Sequence, residues 1–207
     1  MLLRSMLAFL LVMFATAAQA ATIMVWGDSL SAGYGLKAGE AWPTLLQTRL
    51  DAQGFRHRVV NGSVSGETSA GGRSRLPAAL AQHKPDIVIL ELGANDGLRG
   101  LPPKLLAQNL EAMIAESGKI GAKVLLIGMQ MPPNYGPAYT RQFTQTFTDV
   151  ARTTNTPLVP FLFEGFGDRA ELFLPDGIHP TAEAQHIILD TVWAGLQPML
   201  KTLSARR

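Results

Sequence analysis

A serine follows glycine and aspartate in Gly27-Asp28-Ser29-Leu30-Ser31, and far along the chain Asp176 and His179 stand three apart in Asp176-Gly177-Ile178-His179-Pro180-Thr181. A serine hydroxyl is a poor nucleophile near neutral pH. It needs an imidazole to take its proton and a carboxylate to hold that imidazole in the right tautomer. A turn closed by Gly177 can bring the Asp176 carboxylate to Nδ1 of His179 and leave Nε2 facing Ser29, while Pro180 disfavours a helical conformation at His179. The same chemistry needs donors for an oxygen that becomes negative, each worth ~3 kcal/mol of barrier. The Ser29 N–H, Gly66 in the run Asn61 to Thr68, and the Asn95 amide in Gly93-Ala94-Asn95-Asp96-Gly97 are candidates. Each cluster also has a plain structural explanation. Asp28 and Ser29 suit a helix cap, Gly66 a turn, Asn95-Asp96-Gly97 a tight turn, and Thr181 a cap beside a surface histidine. Taken together they hold a nucleophile, a base, its orienter and three donors, the parts that acyl transfer requires.

Short apolar runs at 22–26, 58–60, 86–92, 123–129 and 157–161 predict strands, mostly hydrophobic without alternation and so buried on both faces. Segments of helical period at 42–53, 71–82, 103–118, 138–153 and 182–200 separate or follow them. This alternation predicts an α/β fold with a parallel sheet and helices on both faces, because parallel neighbours need a crossover. In such sheets ligands bind beyond the carboxyl ends of the strands. The clusters at Ser29, Gly66 and Asn95 each follow a predicted strand, and the fourth precedes the last helix.

Residues 1–20 read as an export leader: Arg4 gives a positive start, 6–14 an apolar middle, and Ala18-Gln19-Ala20 a small-residue cleavage site. The apolar run falls short of the ~20 residues that cross a bilayer. The expected mature chain is one domain, 21–207, periplasmic or secreted, with no stable membrane span after cleavage. The full 207-residue sequence, 47% hydrophobic and 16% charged, is enough for one domain with a sizeable buried core. A net charge of +2 gives no electrostatic reason for nucleic acid as a partner. The absence of cysteine excludes disulfides, thiolate metal sites and a cysteine nucleophile. His57, His83 and His186 lack paired metal-ligand spacing, so no metal is expected. Gly66 to Gly71 begins like a phosphate-binding loop, but Gly72 and Arg73 stand where lysine and then serine or threonine are required.

The blocks Gly27-Asp28-Ser29-Leu30, Gly66, Gly93-Ala94-Asn95-Asp96 and Asp176-Gly177-Ile178-His179-Pro180 resemble, in order and spacing, the signature blocks of the SGNH (GDSL) hydrolases. The likeness covers almost the whole mature chain. It is nearest to the bacterial periplasmic thioesterase, arylesterase and lysophospholipase group, which Ala32-Gly33-Tyr34-Gly35 and Asn95 to Gly100 also resemble. It implies a three-layer α/β/α flavodoxin-like domain with a five-stranded parallel sheet. By residue-wise transfer, Ser29 is the nucleophile, Asp176 the orienter and His179 the base, with Ser29, Gly66 and Asn95 as the oxyanion hole. Ala94 departs from the glycine common in relatives. No cofactor is implied.

The expected substrate is a small acyl ester, thioester or lysolipid, and the expected form a monomer. The loop 129–137, with Met131, Pro132 and Tyr135, and the aromatics Phe161, Phe163, Phe166 and Phe173 are candidates to line an acyl groove. The alternative for these aromatics is core. Alternatives for the whole chain are a carbohydrate acetylesterase on the same frame and a non-catalytic envelope binding protein.

Overall fold

The structure, a computed structural model, describes residues 20–205. The expected leader therefore lies outside the described residues except for Ala20. Five strands, β1 (Thr22–Gly27), β2 (Arg58–Asn61), β3 (Ile87–Glu91), β4 (Lys123–Ile127) and β5 (Leu158–Val159), form one sheet in the order β2-β1-β3-β4-β5. Every neighbouring pair is parallel. The three central strands carry the branched apolar residues and are buried on both faces, whereas β2 is half-exposed at its edge. Burying each such side chain contributes ~1.5–3 kcal/mol before chain entropy is set against it, which keeps the strand ends in fixed positions.

The long helices are α2 (Trp42–Ala52), α3 (Ser69–His83), α5 (Pro103–Lys119), α6 (Pro137–Thr154) and α7 (Ala184–Ala205). α2 packs on α7, and α5 packs between α3 and α6, giving a helical layer on each side of the sheet. Pro43, Pro103 and Pro137 lie in the first turns of their helices, where a missing N–H removes no helical bond. None of the described helices is long and apolar enough to cross a membrane.

Beyond shifts of one or two residues at helix and strand ends, the structure departs from the sequence reading at β5, at the two shortest helices and at the last helix. β5 keeps only two of the five expected strand residues. The carbonyls of Pro157 and Val159 accept ladder bonds from Leu126 and Gly128, but Pro160 has no N–H with which to continue the pairing. A short helix α1 (Ser29–Ala32) follows the cap that Asp28 suits, and a second, α4 (Ala94–Leu98), replaces what reads as a tight turn. Four or five residues are too few to show a helical period. Finally, α7 starts at Ala184 rather than 182 and continues past Pro198 to Ala205.

The order of strands reverses between β1 and β3, since the chain passes from β1 to β2 on one side and then to β3 on the other. At that switch point the carboxyl ends leave a crevice. α1 follows β1 directly into it, and α4 follows β3.

Candidate active site

Gly27 ends β1 opposite Glu91, the last residue of β3. A Cβ at Gly27 would lie 2.5 Å from the Glu91 carboxyl and 2.9 Å from Ser31 Oγ, so only glycine fits here. Asp28 then caps α1, its Oδ1 accepting the Leu30 N–H at 3.0 Å. Ser29 is thereby the first residue of a helix. No hydrogen bond among the described residues engages its N–H, as helix starts leave such donors open.

The segment bearing Asp176 and His179 is clamped at both ends. Phe173 and Pro180 form an antiparallel bridge, Leu174 N–H donates to the His179 carbonyl at 2.7 Å, and Thr181 N–H donates to Leu172. Within the loop, Asp176 Oδ1 accepts the N–H groups of Ile178 and His179 at 2.9 and 3.0 Å. Its Oδ2 lies 2.7 Å from His179 Nδ1, and Nε2 lies 2.9 Å from Ser29 Oγ. Against a carboxylate Nδ1 must hold the proton, which leaves Nε2 as an acceptor for the serine hydroxyl. The His179 backbone N–H is the main reason that the Asp176 carboxyl titrates as low as about 2, with the imidazole and the Ile178 N–H adding to it. Asp176 is thus an anion throughout the neutral range. The alternative reading of Thr181 as a helix cap does not hold: α7 begins at Ala184, and Thr181 Oγ1 is buried with no hydrogen bond to any of the described residues.

The expected donors lie in loops tied to the same edge of the sheet. After β2, Gly62 N–H donates to Val25 and Val64 N–H to Gly27, which seats the loop carrying Gly66 beside β1. A Cβ on Gly66 would meet no protein atom within 4 Å, so packing within the chain does not require glycine here. Its φ of +79°, which side chains rarely adopt, does. Its N–H is uncommitted among the described residues, while its carbonyl accepts Arg99 Nη2 at 3.1 Å. Asn95 lies in the first turn of α4. Its Nδ2 gives one hydrogen to Asp28 Oδ2 at 3.1 Å and keeps a second. The next residue, Asp96, accepts both the N–H and the hydroxyl of Ser69, and Asn109 donates to that hydroxyl, tying α4 to α3 and α5.

Beneath Ser29 two acids are buried together. Burial pushes the Asp28 carboxyl up to about 6, against the Leu30 N–H, the Asn95 amide and the His179 charge, which favour its anion. Glu91 is driven well above the usual carboxylate range by burial first and by the Asp28 charge second, although Ser31 Oγ donates to it at 2.6 Å. The folded chain therefore binds the Glu91 proton more tightly than the unfolded chain does. Stability is fully present below the ordinary glutamate value and falls as pH rises toward the folded one. Glu91→Gln keeps the shape without the titration. Thermal melts at pH 5 and pH 8 are expected to show a smaller loss of Tm in the variant than in the parent; an equal loss would mean that Glu91 is ionised in the folded chain.

In the sequence Tyr34 stands out only as part of Ala32-Gly33-Tyr34-Gly35. Its ring centroid lies 4.4 Å from that of His179. An aromatic residue between two glycines just after the nucleophile turn is the available signal, yet spacing alone does not show which imidazole it meets. Met131 is buried over Gly97, Pro132 is exposed, and the Tyr135 hydroxyl donates to the Leu98 carbonyl, so the loop is fastened to the end of α4. A cavity of about 510 Å³ beside Met131, Pro133 and Thr140 opens toward α6, and none of its lining residues belongs to the Ser29 row. Phe166 is fully buried, with Phe161, Phe163 and Phe173 packed against the core. These aromatics support the Asp176 segment from below. The Asn61 carboxamide is used internally: it donates to the Ser31 carbonyl and accepts the Ser63 N–H.

A five-stranded parallel sheet with helices on both faces, holding serine, histidine and aspartate in one hydrogen-bonded row at its switch point, defines an SGNH-type α/β hydrolase. Residues 25–187 match the GDSL-like lipase/acylhydrolase family. The chain belongs to that family and is an ester-hydrolysing enzyme. It is 50% identical over 190 residues to the esterase TesA of Pseudomonas aeruginosa, covering 92% of this chain and 94% of that protein. It is 40% identical over 192 residues to thioesterase 1/protease 1/lysophospholipase L1 of Escherichia coli K12, covering 93% and 91%. Among solved structures, the psychrotrophic esterase EstA of Pseudoalteromonas sp., inhibited by monoethylphosphonate, superposes with a TM-score of 0.83 at 41% identity, covering 87% of this chain and 99% of that one.

Proposed function

We propose that the enzyme cleaves small acyl esters, thioesters and lysolipids through an acyl-enzyme on Ser29. The observation that carries this reading is the unbroken row from Ser29 Oγ to His179 Nε2 at 2.9 Å and from Nδ1 to Asp176 at 2.7 Å. Ser29 Oγ attacks the carbonyl carbon while Nε2 takes its proton, and the Asp176 anion stabilises the imidazolium. The carbonyl oxygen becomes negative and is met by the Ser29 and Gly66 N–H groups and the second Asn95 hydrogen. Collapse breaks the bond to the leaving oxygen or sulfur, which receives the proton from Nε2. Water repeats the sequence and releases the acid.

A leader ending at Ala20 is part of the same proposal, carried by the positive, apolar and small-residue pattern of residues 1–20, and with it a periplasmic or secreted enzyme. A panel of p-nitrophenyl esters, acyl-CoA thioesters, lysophospholipids and acetylated sugars, run with the parent and Ser29→Ala, tests the assignment. Turnover of octanoyl or longer esters that disappears in the variant is expected. Turnover confined to acetyl groups would instead favour a carbohydrate acetylesterase. The loop at Met131, Pro132 and Tyr135 is proposed to cover the acyl chain. Met131→Ser and Tyr135→Ser should each lower turnover of long acyl chains more than short ones, with Tm followed separately because Met131 is buried. An equal loss at all lengths would count against the groove.

A further inference from the structure

We infer that Tyr34 walls the leaving-group side of the site and favours aryl over alkyl esters of the same acid; this rests on the Ser29 acyl-enzyme reading. When the tetrahedral adduct collapses, the electron pair of the breaking bond goes to the leaving oxygen, and the proton held on Nε2 follows it. The leaving oxygen must therefore stand within hydrogen-bond reach of His179, ~3 Å. Whatever that oxygen carries extends past the imidazole, and the Tyr34 ring lies against that imidazole, 4.4 Å away by centroid and tilted by 38°.

The ring is held against both partners yet not consumed by packing. Tyr34 N–H donates to the carbonyl of Ser29 at 3.3 Å. Gly35 sits so close to Leu174 that a Cβ there would lie 2.5 Å from Leu174 Cδ1, and Leu174 in turn donates to His179. At 52% exposure Tyr34 nevertheless heads the exposed large hydrophobics of the described residues, and Ile178, the neighbour of His179, is among them. A half-exposed aromatic face against the catalytic imidazole fits a phenyl ring by offset or edge contact, a preference of about twofold to tenfold over a group without such a face. The acyl chain leaves the tetrahedral carbon by a different substituent, so acyl-length preference is independent of Tyr34.

The test compares phenyl octanoate with ethyl octanoate for the parent, Tyr34→Ala and Tyr34→Phe, using kcat/KM for acylation and single-turnover decay of the octanoyl-enzyme for deacylation. Water replaces the leaving group in deacylation, so that step reports on His179 alone. Tyr34→Ala is expected to lower kcat/KM about fivefold to tenfold for the phenyl ester and less than twofold for the ethyl ester. Deacylation should be unchanged, and Tyr34→Phe should restore the phenyl preference. Equal losses on both esters, or a matching loss in deacylation, would overturn the inference by showing that Tyr34 only holds the imidazole. Turnover of both esters by Ser29→Ala at the parent rate would be a separate result, removing the acyl-enzyme itself.

Discussion

Ser29→Ala and His179→Ala are each expected to lower kcat by ~10⁴-fold or more, a loss of about 5 kcal/mol or more of transition-state stabilisation. The size follows from the geometry. Ser29 Oγ is placed 2.9 Å from Nε2 of His179, and without either partner no oxygen nucleophile is activated there. KM should change little, because neither change removes the apolar contacts that hold an acyl chain. The two losses should not add: the double variant is expected to resemble either single one, since serine and histidine act as a unit. Steady-state kinetics on one p-nitrophenyl ester decides this. A loss below tenfold in either variant would place the chemistry on another residue.

Asn95→Ala carries the second-largest expected effect, a fall in kcat of ~10²–10³ with KM nearly constant. Its amide is oriented from behind. Asp28 Oδ2 accepts one of the two hydrogens, and a carboxylate, which has no hydrogen to offer, fixes nitrogen rather than oxygen on that side. The other hydrogen is thus available to an oxyanion. Because α4 is fastened through Asp96 and Ser69, truncation at Asn95 should remove a donor without moving the loop. Unchanged kcat in a variant with parental Tm would exclude Asn95 from the oxyanion hole.

The fold was legible because buried parallel strands leave continuous apolar runs and crossovers leave helical periods. The strand ends hidden from the sequence were those decided by missing donors, as at Pro160, and the hidden helices were too short for a period, as in α1 and α4. In the site, residues that act through their own chemical type could be read in advance: an alcohol, an imidazole, a carboxylate, an amide. The residues that could not be read act through position. Asp28 reads as a cap and is one, yet its second oxygen also orients Asn95. Glu91 lies at the end of an apolar strand, and only the register opposite Gly27 reveals a proton-holding group beneath the nucleophile. Tyr34 and His179 are brought together by the clamp at Leu174, which no spacing announces.

The most direct measurement is peptide mapping by mass spectrometry after treatment with an alkyl fluorophosphonate, which bonds covalently to an activated serine as fluoride departs. One phosphonyl group on the peptide bearing Ser29, absent in His179→Ala under the same exposure, is the predicted result. An unmodified Ser29 peptide in enzyme that the reagent has fully inactivated would contradict the account.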